Sequence, residues 1–299
     1  MTWQSADATI AEPIRVPVPL AELGEGPCWD QATSALYWVD IMASQVHRRG
    51  ADGEHTCWDV GEPAGTVVPR AGGGLVIAAG TGFFALDPAT GAVELLAATE
   101  PGNQPDQSEP DQPIIRMNDG GCDRAGRFYA GTMASDESPG KGALYRLERD
   151  RSVTTLMTGI GLSNGIGWGP DERLMYYIDS LTYRVDVLDY DPVTGDIGGR
   201  RPFASIGSGD VVPDGLAVDA EGGVWVAVWG GGIIQRYRPD GTRAGVVRLP
   251  AAHVTSCAFG GPGLDQLYIT TAAGPGSSAG ALFTCPAGVT GLPTHAYQG

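Results

Sequence analysis

The sequence predicts an all-β protein, a six-bladed β-propeller with four-stranded antiparallel blades. Three observations predict it. A strand–turn–strand pattern recurs six times along the chain of 299 residues, 46 of those residues are glycine, and no segment carries a sustained helical apolar period. Glycine at about twice its usual share of roughly 7 % demands many turns. The repeats start at Glu25, Thr66, Asp119, Asn164, Asp214 and Ser256, each with a small or polar residue, an apolar strand, a glycine-bearing turn and a second apolar strand. Their spacing of roughly 40 to 55 residues suits a propeller blade and exceeds a helical solenoid unit of roughly 34.

A second hairpin completes the blade. VHRRGADGEHTCW, FFALDPATGAVELL, VDVLDYDPVTGDI and IIQRYRPDGTRAGVV each place a glycine-bearing turn between alternating strands, as two-stranded ribbons require. Six blades account for residues 1–299 as one domain, with helices few and short. A β-sandwich is the structural alternative, but sandwiches lack this period. Ile14, Val16, Val18 and Leu20 alternate with polar or proline residues ahead of the first repeat. This strand is expected to complete the last blade beside Ala281 to Thr284. Thr99 to Pro113 (TEPGNQPDQSEPDQP) is too rich in Pro, Gln and Asp for a regular strand. It reads as a loop between the second and third blades, either a lid over the channel mouth or a surface excursion.

Composition excludes several function classes. The formal net charge of −16 repels phosphate backbones, and no basic cluster longer than Arg48-Arg49 or Arg200-Arg201 offsets it, so a nucleic-acid partner is not expected. No apolar run approaches the length of about 18 residues that spans a bilayer, and Met1 to Leu20 has no signal-peptide pattern. The expectation is a cytoplasmic protein without a membrane partner, monomeric or weakly self-associating. Cys28, Cys57, Cys122, Cys257 and Cys285 form no C-x-x-C pair and read as buried free thiols. His47, His55, His253 and His295 are isolated in sequence, which gives a histidine-based zinc or catalytic centre no support.

In a propeller the innermost strands run beside the central channel, so the first residues of all blades gather at one mouth. Glu25, Asn118 with Asp119, Asn164 and Asp214 thereby converge, each followed closely by glycine. Burying such acids together is costly without a cation. Two carboxylates, an amide oxygen and water suit a hard divalent ion, calcium first, with Mg2+, Mn2+, Zn2+ or Fe2+ also accommodated. The alternative is that Asp-Gly and Asn-Gly are ordinary turn dipeptides. Rival motifs fare worse. Gly161 to Gly165 and Gly276 to Gly280 match G-x-S-x-G, but no amphipathic helix follows either. Asp189 to Asp196 has its glycine one position late for a calcium loop and reads, like Asp87 to Gly91, as a hairpin turn.

Four motifs in order, Leu23-Gly24-Glu25-Gly26-Pro27, Arg116-Met117-Asn118-Asp119-Gly120, Leu162-Ser163-Asn164-Gly165 and Pro213-Asp214-Gly215, resemble the regucalcin, gluconolactonase and senescence-marker-protein family. Tyr176 to Ser180 and Phe259 to Gly261 extend the resemblance over nearly the full chain. It implies a six-bladed, metal-dependent hydrolase with Glu25, Asn164 and Asp214 as metal ligands, the residues that convergence also selects. It implies Arg116 and Asn118 as substrate contacts, with Asp136 a further contact where such proteins tend to carry Glu. Residues 272–279 (AAGPGSSA) are short and small where many members have a longer charged stretch.

The implied substrate is a small-molecule sugar lactone, opened to the aldonic acid. Such an ester needs a polarised carbonyl, an aimed water and a base. Asp214 is the candidate for ligand and base together, and Asp119 the reserve base. Two other functions stay open: a non-catalytic calcium-binding or interaction propeller, and a hydrolase of a non-sugar lactone or phosphotriester. Arg116 with Asn118 favours the polyol, and a channel lined by aromatics would favour the non-sugar ester.

Overall fold

The computed structural model describes residues 8–99, 114–276 and 278–299. Its strands form six four-stranded antiparallel sheets, a six-bladed β-propeller. Blade 1 contains Gly24–Asp30, Ala35–Asp40, Gln45–Arg49 and His55–Asp59, from channel to rim. The inner strands of blades 2 to 6 are Ala64–Pro69, Ile115–Cys122, Ser163–Trp168, Val212–Val218 and Val254–Gly260. The 3-10 turn Ser180–Thr182 is the one helical element among the described residues.

Burial explains the sequence pattern of each blade. The second strands, such as Ala35–Asp40 and Val224–Trp229, are buried on both faces between neighbouring blades. They therefore read as nearly unbroken apolar runs, ALYWVD and VWVAVW. The rim strands Val93–Ala98 and Ile197–Ser205 are largely exposed and mixed in character. Between blades the packing is apolar: Trp225 and Ala227 of blade 5 join Val254, Cys257, Phe259 and Ile269 of blade 6 in one buried cluster.

The ring closes as expected, in a shorter form. Ile14–Arg15 pairs with Phe283–Pro286 as the rim strand of blade 6, and Val16 N–H donates to Leu282 O at 2.8 Å. Pro17 and Pro19 have no N–H to continue the ladder. Val16 and Val18 are buried, whereas Ile14 and Leu20 are exposed. A second tie was not foreseen. The C-terminal segment crosses several blades, with Gly291 N–H donating to Leu264 O, Tyr297 N–H to Pro69 O and Gln298 N–H to Gly126 O.

Thr99 bonds Thr81 O through both its amide and its hydroxyl, but the rest of the Thr99 to Pro113 loop lies outside the described residues. All five cysteines are free, and four are buried; Cys57 is exposed because it sits on a rim strand. His47 and His55 are not isolated in space. Adjacent strands bring His47 Nδ1 within 3.1 Å of His55 Nε2. Burial and the neighbouring ring push His47 down to about 4.

Ring closure yields a direct test. Deleting residues 1–17 bares the edge of Phe283–Pro286, a template for unwanted pairing. The expected outcome is a lower melting temperature in calorimetry and more aggregation on heating. An unchanged transition would mean that the blade 6 edge needs no partner.

Candidate functional site

Each inner strand breaks its register with the second strand at a corresponding level. The breaks fall between Glu25 and Cys28, Ala64 and Thr66, Met117 and Gly120, Ser163 and Ile166, Pro213 and Leu216, and Val254 and Ser256. Such irregularities turn side chains out of the pleat. Glu25, Asn118, Asp119, Asn164 and Asp214 stand at them, all buried. Blade 2 contributes Gly65 at this level, where a Cβ would overlap the Asn118 backbone. Blade 6 contributes Thr255, whose hydroxyl turns away to Gly24 O at 2.6 Å.

The glycines of Asn164-Gly165 and Asp214-Gly215 lie in strands, not turns. A Cβ at Gly165 would stand 2.7 Å from Leu216 N, and one at Gly215 would overlap the Ser256 hydroxyl. They permit the close approach of neighbouring inner strands. Two other aspartates set the strand entrances. Asp40 accepts N–H bonds from Glu22 and Leu23 at 2.7 and 3.1 Å, and Asp179 accepts them from Gly161 and Leu162 at 3.0 Å each. Both end second strands, Ala35–Asp40 and Leu174–Asp179, so the repeated Val-Asp and Ile-Asp endings were a signal available in the sequence.

Glu25 and Asp214 lie within hydrogen-bond reach of one another. Burial first, then the neighbouring carboxylates Asp214 and Asp119, hold the Glu25 carboxyl well above its ordinary range. Burial and Asp119 do the same to Asp214. Asp119 accepts the Gly120 N–H at 2.7 Å, yet burial still raises it to about 6. Asp119 borders a 390 Å³ cavity further down the channel, which Glu25 and Asp214 do not line.

Asn164 supplies the amide. Its Nδ2 donates to Ser180 Oγ at 2.9 Å, and Ser180 Oγ donates to Pro213 O at 2.7 Å. This relay ties Asn164 to the backbone just ahead of Asp214; Ser180 escaped the sequence reading although it ends the Tyr176 to Ser180 motif. Asn164 Oδ1 takes a 3.2 Å bond from Asn118 Nδ2, which leaves a carbonyl lone pair for a cation. Among the described residues, no three His, Cys, Asp or Glu side chains form a metal-holding group. The donor set here is two carboxylates and an amide oxygen, completed by water, a chemistry that suits a hard divalent ion. Two buried, mutually repelling carboxyls with an oriented amide beside them fit such an ion.

Arg116 is half-buried and donates to Asn118 Oδ1 at 2.7 Å and Met117 O at 3.0 Å. Burial lowers its guanidinium, while Glu25, Asp214 and Glu137 act the other way. Asn118 was read as a substrate contact alone, but its Nδ2 bonds Ser163 O at 2.8 Å as well as Asn164. It braces a ligand. Asp136 is not brought into the cluster: it is exposed and accepts from the amide and hydroxyl of Ser138 at 3.0 and 2.7 Å. Its neighbour Glu137, with φ of 59°, is the third acid, after Glu25 and Asp214, whose charge acts on Arg116.

The family model of the SMP-30/Gluconolactonase/LRE-like region matches residues 23–273. The chain belongs to this family. Regucalcin of Danio rerio is 38% identical over 292 residues, covering 93% of this chain and 95% of that protein. Among solved structures, a luciferin-regenerating enzyme is 30% identical with a TM-score of 0.86, covering 96% of this chain and 99% of that one. A regucalcin of Agrobacterium tumefaciens, described as a calcium-binding protein, is 28% identical with a TM-score of 0.87, covering 97% and 99%. The SMP-30/gluconolactonase-like chain thus shares its ring with both an enzyme and a calcium binder. No helix among its described residues is long and apolar enough to cross a membrane.

Two outcomes are expected at the site. Ser180→Ala removes the bond that orients Asn164, and metal affinity measured by calorimetry should fall about tenfold with the fold intact; undiminished affinity would mean Asn164 needs no support. In chelator-treated protein, the raised carboxyls retain protons that the unfolded chain releases at about pH 4. Fold stability should therefore decline from about pH 4 through about pH 6, where Asp119 ionises, because the folded state binds more protons over that window. Added divalent metal should oppose the decline more strongly as pH rises, since ligands must be deprotonated. Melting curves against pH, with and without metal, check the sign.

Proposed function

We propose that this protein is a divalent-metal-dependent lactonase that opens a sugar lactone to its aldonic acid, with calcium the preferred ion. The observation that carries this reading is the buried Glu25–Asp214 pair beside the oriented Asn164 amide, with Arg116 at the same channel mouth. When bound there, a divalent ion supplies Lewis-acid polarisation of the ester carbonyl and stabilises developing negative charge. Asp214 has a second carboxylate oxygen suited to accept the proton of an attacking water. Asp119, bordering the inner cavity, is the reserve base. Arg116 orients ring hydroxyls while its own bonds to Asn118 keep it in place. Glu137, whose charge reaches Arg116, is the candidate for the acidic place expected of Asp136.

A second reading is a calcium-binding protein without catalysis, favoured by the description of the Agrobacterium relative. Chelator-treated protein assayed on a panel of aldonolactones, with single metals restored, separates the two. Asp214→Asn keeps an oxygen for the ion but removes the base. Metal binding should weaken modestly while turnover falls roughly a hundredfold or more. Retention of most activity at saturating metal would reduce Asp214 to a ligand, and absence of metal-dependent turnover on every lactone would favour the binding protein.

A further inference from the structure

The channel mouth has two chemically different sides. Blade 3 presents Arg116, two residues ahead of Asn118 along the inner strand. Across the ring, at the junction of blades 5 and 6, Trp229 and His253 stack with centroids 4.1 Å apart and planes 4° from parallel. Trp229 ends the second strand of blade 5 and pairs with Val212, two residues ahead of Asp214. His253 precedes the inner strand of blade 6 and stands two residues ahead of Thr255. At about 3.3 Å per strand residue, the backbone at both residues stands about 7 Å outward of the carboxylate level.

The pair is built, not incidental. Side chains alternate along a strand, so Trp229 shares a face with Trp225, which packs on Phe259 of blade 6. Trp225 is fully buried within that interface, whereas Trp229 is half-buried at its outer end. His253 Nδ1 lies 2.9 Å from Ala273 O. A carbonyl only accepts, so Nδ1 carries the hydrogen. The short segment of small residues after Ala272 makes this possible: a Cβ at Gly274 would come 2.5 Å from His253 Nδ1.

We infer that Trp229, propped by His253, is an apolar wall of the substrate pocket. The preferred lactone is accordingly amphipathic, hydroxylated on the edge facing Arg116 and deoxygenated on the edge facing Trp229. The inference rests on the lactonase reading for the reacting end of the substrate, and on the aromatic pair for the other end. An indole face gains from covering C–H groups and offers no partner to a hydroxyl pressed against it, which then loses its bonds to water.

L-Rhamnonolactone and L-mannonolactone, which differ in one terminal hydroxyl, provide the test on metal-loaded protein. Wild type should favour the deoxy lactone in kcat/KM by roughly fivefold to tenfold, about the effect of burying one methyl in place of a hydroxyl. Trp229→Ala should erase the preference by raising KM for the deoxy lactone, with kcat and bound metal retained. Trp229→Phe should keep most of it and His253→Ala part of it; these two serve if Trp229→Ala fails to fold. An unchanged KM ratio in the folded variants overturns the inference, as does a wild-type preference for the hydroxylated lactone. Calorimetry with the matching deoxy lactam, which is not hydrolysed, needs no turnover. A lactam that binds wild type and about tenfold more weakly binds Trp229→Ala supports the wall even if no lactone is hydrolysed, in which case the lactonase reading alone falls. Equal binding by both proteins, or binding by neither, overturns the wall.

Discussion

The burial of Glu25 against Asp214 is the constraint on which the site depends. Burial above all raises the proton affinity of both carboxyls, with Asp214 adding to it at Glu25 and Asp119 adding to it at both, and such a pair favours a proton or a cation between its oxygens. The two residues are far apart in sequence, on blades 1 and 5, so nothing local holds them together. What does is the ring: inner strands packed edge to edge, glycines that let them approach, and a rim strand from the N-terminal side that joins blade 6.

Around that pair the polar groups are arranged as braces. Ser180 holds Asn164 and the carbonyl of Pro213 with a single hydroxyl, and Asn118 links Arg116 on one side to Asn164 on the other. The consequence is that the residues proposed for substrate and those proposed for metal share hydrogen bonds. Effects of changes at Arg116, Asn118 and Asn164 are therefore not additive, since residues in one network couple. Asp40 and Asp179 repeat one solution at two blades, each fixing the backbone that leads into the strand of Glu25 or Asn164.

Much of the fold was legible because a blade is a local object. Its hairpins join strands a few residues apart, so turn residues and alternation along the chain report them directly. The ligand candidates were legible for a related reason: the blade period puts Glu25, Asn164 and Asp214 at equivalent places, whatever the details of packing. Less was legible where a side chain chooses among neighbours. Asp136 and Glu137 are adjacent acids, and a left-handed backbone at Glu137, which no pattern of residue types announces, leaves Asp136 with Ser138. The His47–His55 contact needs the register of two strands, and the C-terminal tie spans the chain from Pro69 to Tyr297.

The sequence by itself determined the number of blades, the strand that closes them and the oxygen donors that meet in the channel, since periodicity and residue chemistry are properties of the chain alone. Only the tertiary structure decided which donors bond each other, that Asp119 borders the inner cavity, that Glu25 and Asp214 lie side by side, and that Trp229 lies flat against His253. The reason is that these contacts join residues on different blades or across loops. Their geometry is set by the closing of the ring and by single register shifts, each of which turns a side chain to one face or the other.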